Sequence, residues 1–317
     1  MAVVGANIDS VTNVNTTGSL PQEVATYYEK VFLTRATYEL VLKEGGQNRT
    51  TPMNQGRSVN FTRYDPLTVI TSPIGEASNP ATCAINPSTV TMTLSEYGLT
   101  TTHGKLLTLT SIDSGMKEKA ALVGQNMGET LNRLVRLELD NGTSYYGNSH
   151  TTATFTAGDT MDACDIRIMV QALEYNKAHP FQDGFYLGKV DSYSKYNLLG
   201  DSTWVNAKTY SDVQKLYAGE IGELYQVRWL LNLDDNCGIE ATSTASSGVT
   251  RHFTYVHGQD AFGVYDLEGD QPKLTIIPNA VDSSSPAGRI SFISWSGSYA
   301  TKLLNPKWVI AARFAVV

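Results

Sequence analysis

The chain has 317 residues, 41% of them hydrophobic, enough to bury a full core in one large domain or two modest ones. Its formal net charge of −7, with no run of lysine and arginine, excludes a dedicated nucleic-acid binder, because phosphate contact needs a basic footprint. Cys83, Cys164 and Cys237 are odd in number and form no CxxC pair, so neither a disulfide framework nor a zinc knuckle is expected.

The opening stretch, MAVVGANIDSVTNVNTTGSL, has no basic leader region, and no later stretch is apolar for long enough to span a bilayer. The expectation is a soluble chain made in a cytosol, in which sequons such as Asn60-Phe61-Thr62 carry no meaning. Residues 1–19 read as a flexible arm. Pro21 then opens a helix predicted to run to Glu44, with Val24, Tyr28, Val31, Tyr38 and Leu42 on its apolar face and Gly45-Gly46 as its stop.

Residues 47–110 contain no predicted helix. Val59 and Phe61 alternate with polar residues, as do Val90, Met92 and Leu94, so two strands are expected. Pro66, Pro73, Pro80 and Pro87 break up the intervening chain. The picture is a two-stranded excursion with a proline-rich tip, too poor in apolar residues for a core of its own and in need of a partner surface.

From Ser114 to Asn141 the spacing predicts the longest helix, ending at Gly142, with Met116, Ala120, Val123, Met127, Leu131, Leu134 and Glu138 as its stripe. At 1.5 Å per residue it would span about 37 Å. An extended piece is expected around Thr151–Thr156. A helix over Asp162–His179 follows, capped by the Asp162 and Asp165 pair, halted by Pro180, and apolar through Ile166, Met169, Val170 and Leu173.

FYLGKV reads as a buried strand, SYSKYNLLGD as a short helix, SDVQKLYA as another with Gly219 closing it, and ELYQVRWLLN as paired strands. A Ser/Thr/Gly-rich loop at Asp234–Val249 precedes the strand RHFTYVHG, and two C-terminal strands are joined at Asn305-Pro306-Lys307. Helices and strands are segregated rather than alternating, so the fold class is α+β.

None of the motifs that carry chemistry is complete. GLTTTHGKL, Gly98 to Leu106, has five residues rather than four between its glycines and lacks the hydroxyl after Lys105 that a P-loop needs for magnesium. His252 and His257 are too far apart to share a strand face and read as surface histidines; Asp234-Asp235 lacks the alternation of a calcium loop. No GxSxG elbow is present, and Cys164 falls inside a predicted helix. The residues therefore assign no catalytic, cofactor-binding or metal site, and no cofactor. In Gly219-Glu220-Ile221-Gly222 the glycines read as chain-turning devices, with Ile221 pointing into a core and Glu220 half solvated.

LYAGEIGELYQVRWLLN, LPQEVATYYEKVFLTRA, GRSVNFTRYDPL, GETLNRLVRLEL, VHGQDAFGV and YATKLLNPKWVIAARF together resemble, in that order, blocks of phage major capsid proteins with the Hong Kong 97-like fold. The resemblance is to the subfamily typified by the enterobacterial phage N-four. VDSSSPAGRISFISWSGSY matches only loosely, and CGIEATSTASSG looks like a local insertion.

The resemblance implies an N-terminal arm and helix at 1–46, an extended loop lying over a neighbour at 47–110, and a peripheral domain with a spine helix at 111–162. It further implies an axial domain at 163–280 and C-terminal strands at 281–317 that return to the peripheral sheet. The implied role is an icosahedral shell of hexamers and pentamers enclosing double-stranded DNA without specific binding. Portal, scaffold and decoration proteins would be its partners, and no membrane is involved. The virion, assembled in the host cytoplasm, would be its location. A motif-free hydrolase or transferase and a nanocompartment shell of the same fold are the alternatives. Some capsids of the resembled fold join a loop lysine to a neighbour's asparagine; from Pro52 through Gly104 this sequence has no lysine, so a non-covalent shell is expected.

Overall fold

A helix with a sustained apolar stripe needs a groove on each flank, and here two sheets supply it. The computed structural model describes residues 22–52, 56–64, 67, 69–74, 76, 79–80, 82–85, 87–110, 115–151, 154–204, 220–233, 239–240, 250–280 and 287–315. Helix α1 covers Gln22–Glu39 and leads through a turn to β1, Gln47–Thr51. Strands β2, Ser58–Tyr64, and β3, Pro87–Thr93, form the two arms of the excursion, and β4, Ser95–Gly104, returns it to the body. Helices α2, Lys105–Thr110, and α3, Met116–Leu139, follow, then β5, Thr143–Tyr146, and helix α4, Ala163–Tyr175. Next come β6, Tyr186–Val190, helix α5, Ser192–Gly200, and strands β7, Glu220–Leu224, β8, Val227–Leu231, and β9, Ile239–Glu240. The chain finishes with β10, Arg251–His257, β11, Phe262–Leu267, β12, Lys273–Ala280, β13, Ile290–Leu303, and β14, Val309–Ala315.

The first sheet runs β1-β11-β13-β12, with β4 on the other side of β13. The second runs β5-β14-β10-β6-β8-β7, with β9 added to β10. Helix α3 buries Val123, Met127, Leu131, Val135 and Leu139 in one cluster with Phe262, Ile293, Trp295 and Tyr299 of the first sheet and Phe253, Tyr255 and Ala311 of the second. The opposite face of the second sheet packs Val256, Ile310, Phe314 and Trp229 against Ile166, Met169 and Leu173 of α4. With helices on both faces, β10 is buried at all seven positions.

Both stems of the excursion are anchored in one row across the first sheet. Thr50 of β1 pairs with Asp266, Asp266 with Tyr299, and Tyr299 with Ser95 of β4. The stems therefore stand three strand spacings, about 14 Å, apart at the same height.

Several expectations change. Helix α1 stops at Glu39 rather than Glu44, because the chain turns at 42–45 with Gly45 at φ 77°. Phe32 and Ala36 are its buried residues, while Tyr28 and Val31 are half-buried. Leu42 is buried beyond the helix end. Residues 105–110 are helical where no helix was expected. Helix α3 begins after Gly115, and its stripe ends on Val135 and Leu139 rather than Leu134 and Glu138, the drift of a helix whose period exceeds the heptad's. The extended piece lies at Thr143–Tyr146, where parallel pairing with β14 holds it, not at 151–156. Helix α4 ends at Tyr175, four residues early; its capping box of Asp162 and Asp165 is formed as expected. The strands β13 and β14, joined through Asn305, belong to different sheets.

Candidate functional site

Among the described residues, those singled out for chemistry do not converge on a reaction centre. Gly98 lies within β4, paired with Ser296, instead of in a phosphate-cradling loop. Cys164 is exposed in the first turn of α4. Asp234, Asp235, Gly219 and SDVQKLYA lie outside the described residues, as does the side chain of Glu220. Around the GEIG stretch, Ile221 is buried and Gly222, at φ 145°, bulges β7 where a Cβ would come within 3.2 Å of Trp204. Its glycine serves backbone shape.

His252 and His257 are not surface residues: both are buried, on opposite faces of β10. The His252 ring bonds the Asp191 carboxylate, and Asp191 also caps α5 by accepting from Ser194 N at 3.0 Å. On the other face His257 meets Phe181 and Phe262, and burial followed by the charge of Lys189 holds its imidazole well below the usual range. Central position in a doubly covered sheet explains the error, since it removes the alternation that marks a solvent face.

A second polar group secures the strained chain after β5, where Asn148 and Ser149 adopt φ of 55° and 57°. Asp165 accepts from Tyr145 Oη at 2.6 Å and from Asn148 N at 3.1 Å, and burial pushes its carboxyl up to about 6. Asp159 accepts from Thr156 N at 2.7 Å and meets His150 Nδ1 at 2.8 Å. Burial alone would raise the Asp159 carboxyl, but these bonds outweigh it and lower it. Beside them Arg136, Phe253, Arg313, Tyr146, Arg251 and Phe155 alternate as cation and ring, with guanidinium-to-ring distances of 4.6, 4.9, 5.3, 5.6 and 5.1 Å. These are bracing contacts. Among the described residues no group of three or more His, Cys, Asp or Glu is placed to hold a metal.

The excursion is the surface that stands out. Strands β2 and β3 pair in register from Ser58 with Thr93 to Tyr64 with Pro87. Phe61 and Met92 share one face and are buried with Leu94 against Tyr265 and Leu304, and Arg49 lies 4.3 Å from the Phe61 ring centre. The root thus gains a core from its own subunit, which corrects the expectation that the whole excursion needs a neighbour. Farther out the support ends: Tyr64, Leu67, Val69, Ile70, Ile74 and Ile85 are all exposed, Val69 by 82%. A cleft of about 640 Å³ between α1 and α3, lined by Tyr27, Val31, Thr34 and Leu122, is a further partly apolar surface. No described helix is long and apolar enough to cross a membrane.

No protein-family model and no curated protein matches the sequence. Solved structures do match. The capsid of Ralstonia phage GP4 superposes with a TM-score of 0.65 at 13% identity, over 86% of this chain and 87% of that one. The capsid of cyanophage P-SCSP1u gives 0.61 at 13% identity, over 86% and 87%. The acid-stable capsid of Helicobacter pylori bacteriophage KHP30 gives 0.60 at 12%, over 86% and 88%. The chain therefore has the fold seen in these phage capsids.

Proposed function

We propose that this chain is the major capsid protein of a double-stranded DNA phage, of the Hong Kong 97-like fold and the N-four subfamily, and that it assembles into an icosahedral shell of hexamers and pentamers. The observation that carries the reading is the apolar tip of the excursion, on a chain whose fold matches phage capsids over most of its length. Isolated large apolar side chains are ordinary on a surface; six on one projection rooted in the body suit burial by another copy. Residues 1–46 would form the arm and its helix, 47–110 the loop over a neighbour, 111–162 the peripheral domain, 163–280 the axial domain and 281–317 the closing strands. Many weak, repeated contacts of this kind close a shell. The net charge of −7 suits a container that holds DNA without gripping it. Portal, scaffold and decoration proteins would complete the particle in the host cytoplasm.

The test is negative-stain microscopy of the purified full chain beside the triple variant Val69→Asp, Ile70→Asp, Ile74→Asp. Shells or capsomers are expected for the parent, with dispersed subunits of unchanged melting temperature for the variant. Uniform small parent monomers, or a variant that assembles as the parent does, would overturn the proposal.

A second expectation concerns the bonds within that shell. Between Pro52 and Gly104 the only cationic side chains besides His103 are Arg57 and Arg63, whose guanidinium groups do not act as amine nucleophiles. Boiled, reduced particles should therefore run as a single monomer band on denaturing electrophoresis, and a persistent ladder of oligomers would contradict this.

A further inference from the structure

Residues 42–46 connect α1 to β1 and are gripped from several elements at once. From α3, Asn132 Oδ1 accepts the Leu42 amide at 2.8 Å, while Asn132 Nδ2 donates to Asn232 Oδ1 at 3.0 Å. From β6, Lys189 Nζ donates to the carbonyls of Leu42 at 2.6 Å and Glu44 at 2.7 Å. The two glycines let the backbone in: a Cβ on Gly45 would lie 2.6 Å from the His257 ring, and one on Gly46 would lie 2.5 Å from the Phe262 ring.

Lys189 is 1% exposed, its hydrogen-bond partners are backbone carbonyls, and its amine sits 4.9 Å from the Phe262 ring centre. A buried ammonium without a bonded carboxylate is an expensive way to hold a turn. We propose that Lys189 is a proton-operated latch on residues 42–46, relaxed when its amine is neutral and strained when it is charged, whose opening frees α1 and β1 from the body together.

The neutral amine keeps two N–H groups, one for each carbonyl, so losing the proton costs no bond and removes the cost of burying charge. The groups that face it are few. Glu44, on the clasped turn, favours the ammonium; His257, on β10, is itself held neutral. Tyr255, opposite Lys189 on β10, stays a phenol because burial pushes it well up. Asn132 from α3, Phe262 from β11 and Leu230 from β8 bring no charge. Burial outweighs Glu44 and pulls Lys189 from 10.5 down to about 7.

The sign follows. An opened latch returns the lysine to water and its ordinary affinity for protons, so the open form binds more protons than the closed one above about pH 7. The closed form therefore gains on the open one as pH rises from about 7, by up to about tenfold per unit, and loses that gain on acidification back to 7. Below that point both forms carry the proton and the balance is flat. Helix α1 precedes this turn in the chain and the excursion follows it, so one proton acts on both.

Hydrogen exchange of the full chain as dispersed subunits tests this without requiring assembly, so its failure is separate from that of the shell reading. After correction for the base catalysis of exchange itself, protection of residues 40–51 and of α1 should rise by up to about tenfold per unit from about pH 7 to about pH 9, while α4 stays flat. K189R, with a charge that persists through this range, should abolish the slope. A flat profile in 40–51, an equal slope in α4, or a slope kept by K189R would overturn the latch. A slope confined to 42–46 would overturn the joint release. If K189R does not fold, the comparison of 40–51 with α4 in the parent chain decides the matter alone.

Discussion

Leucine in place of Gly124 is expected to lift α1 off the subunit while the two sheets stay folded. At this position a Cβ would lie 2.6 Å from the carbonyl oxygen of Phe32 and 3.0 Å from its Cα, so the two helix backbones are nearly in contact. A glycine inside a helix costs about 0.5–1 kcal/mol relative to alanine, and here the close crossing of α1 over α3 accounts for it. The backbone of Phe32 cannot yield as a flexible side-chain end could. Separation of the helices would expose Phe32 and Ala36, both buried in the shared core. Exposing a buried phenylalanine typically costs about 3–5 kcal/mol and favours docking, so α1 lifts only because a leucine side chain, with no room against the Phe32 backbone, costs the docked form more than that. Limited proteolysis should then cut within α1 in Gly124→Leu and spare it in the parent, with the main melting transition retained. Equal resistance in the two proteins would refute this account of the crossing.

Trp229→Ala should produce the largest loss in global stability. Trp229 is fully buried on β8 and belongs to the cluster that fastens α4 to the second sheet. Removing so large a side chain from a core costs about 3–5 kcal/mol, and a melting temperature lower by about 5–8 °C is expected for a chain of this length. Near-ultraviolet dichroism and calorimetry of dispersed subunits would measure it. A shift of only a degree or two would mean that the β7–β8 hairpin is loosely attached.

How far the sequence could be read depended on whether each element kept a visible period. Helix α4 was legible because Asp162 and Asp165 mark its start and Ile166, Met169, Val170 and Leu173 mark one face. The strands β2 and β3 were legible because one face packs on the body and the other meets solvent, so Val59, Phe61, Val90 and Met92 alternate. Strand β10 gave no such contrast, since both faces are covered, and its histidines were misplaced in consequence. Strand β5 has four residues and exists through pairing with β14, far away in sequence, so no local pattern announces it. The clasp around 42–46 was missed for a related reason. Its one local signal is a lysine inside the otherwise apolar run FYLGKV, and the partner carbonyls lie almost 150 residues earlier. The capsid-like fold was legible through the collinear blocks more than through any side-chain constellation.

The paired anchorage of the excursion limits how it can move. A projection fixed at one point can swivel in any direction, whereas one fixed at Thr50 and Ser95, about 14 Å apart in a single row, behaves like a door on two pins. Rising and falling about the line through the pins breaks no ladder and costs only the contacts of Phe61 and Met92 with Tyr265 and Leu304, whereas sideways sweep or twist must also shear β1, β11, β13 and β4 past one another. In the shell proposed above, each copy would thereby keep one softest adjustment, the tilt of its tip toward or away from the surface, with which to meet neighbours at different angles.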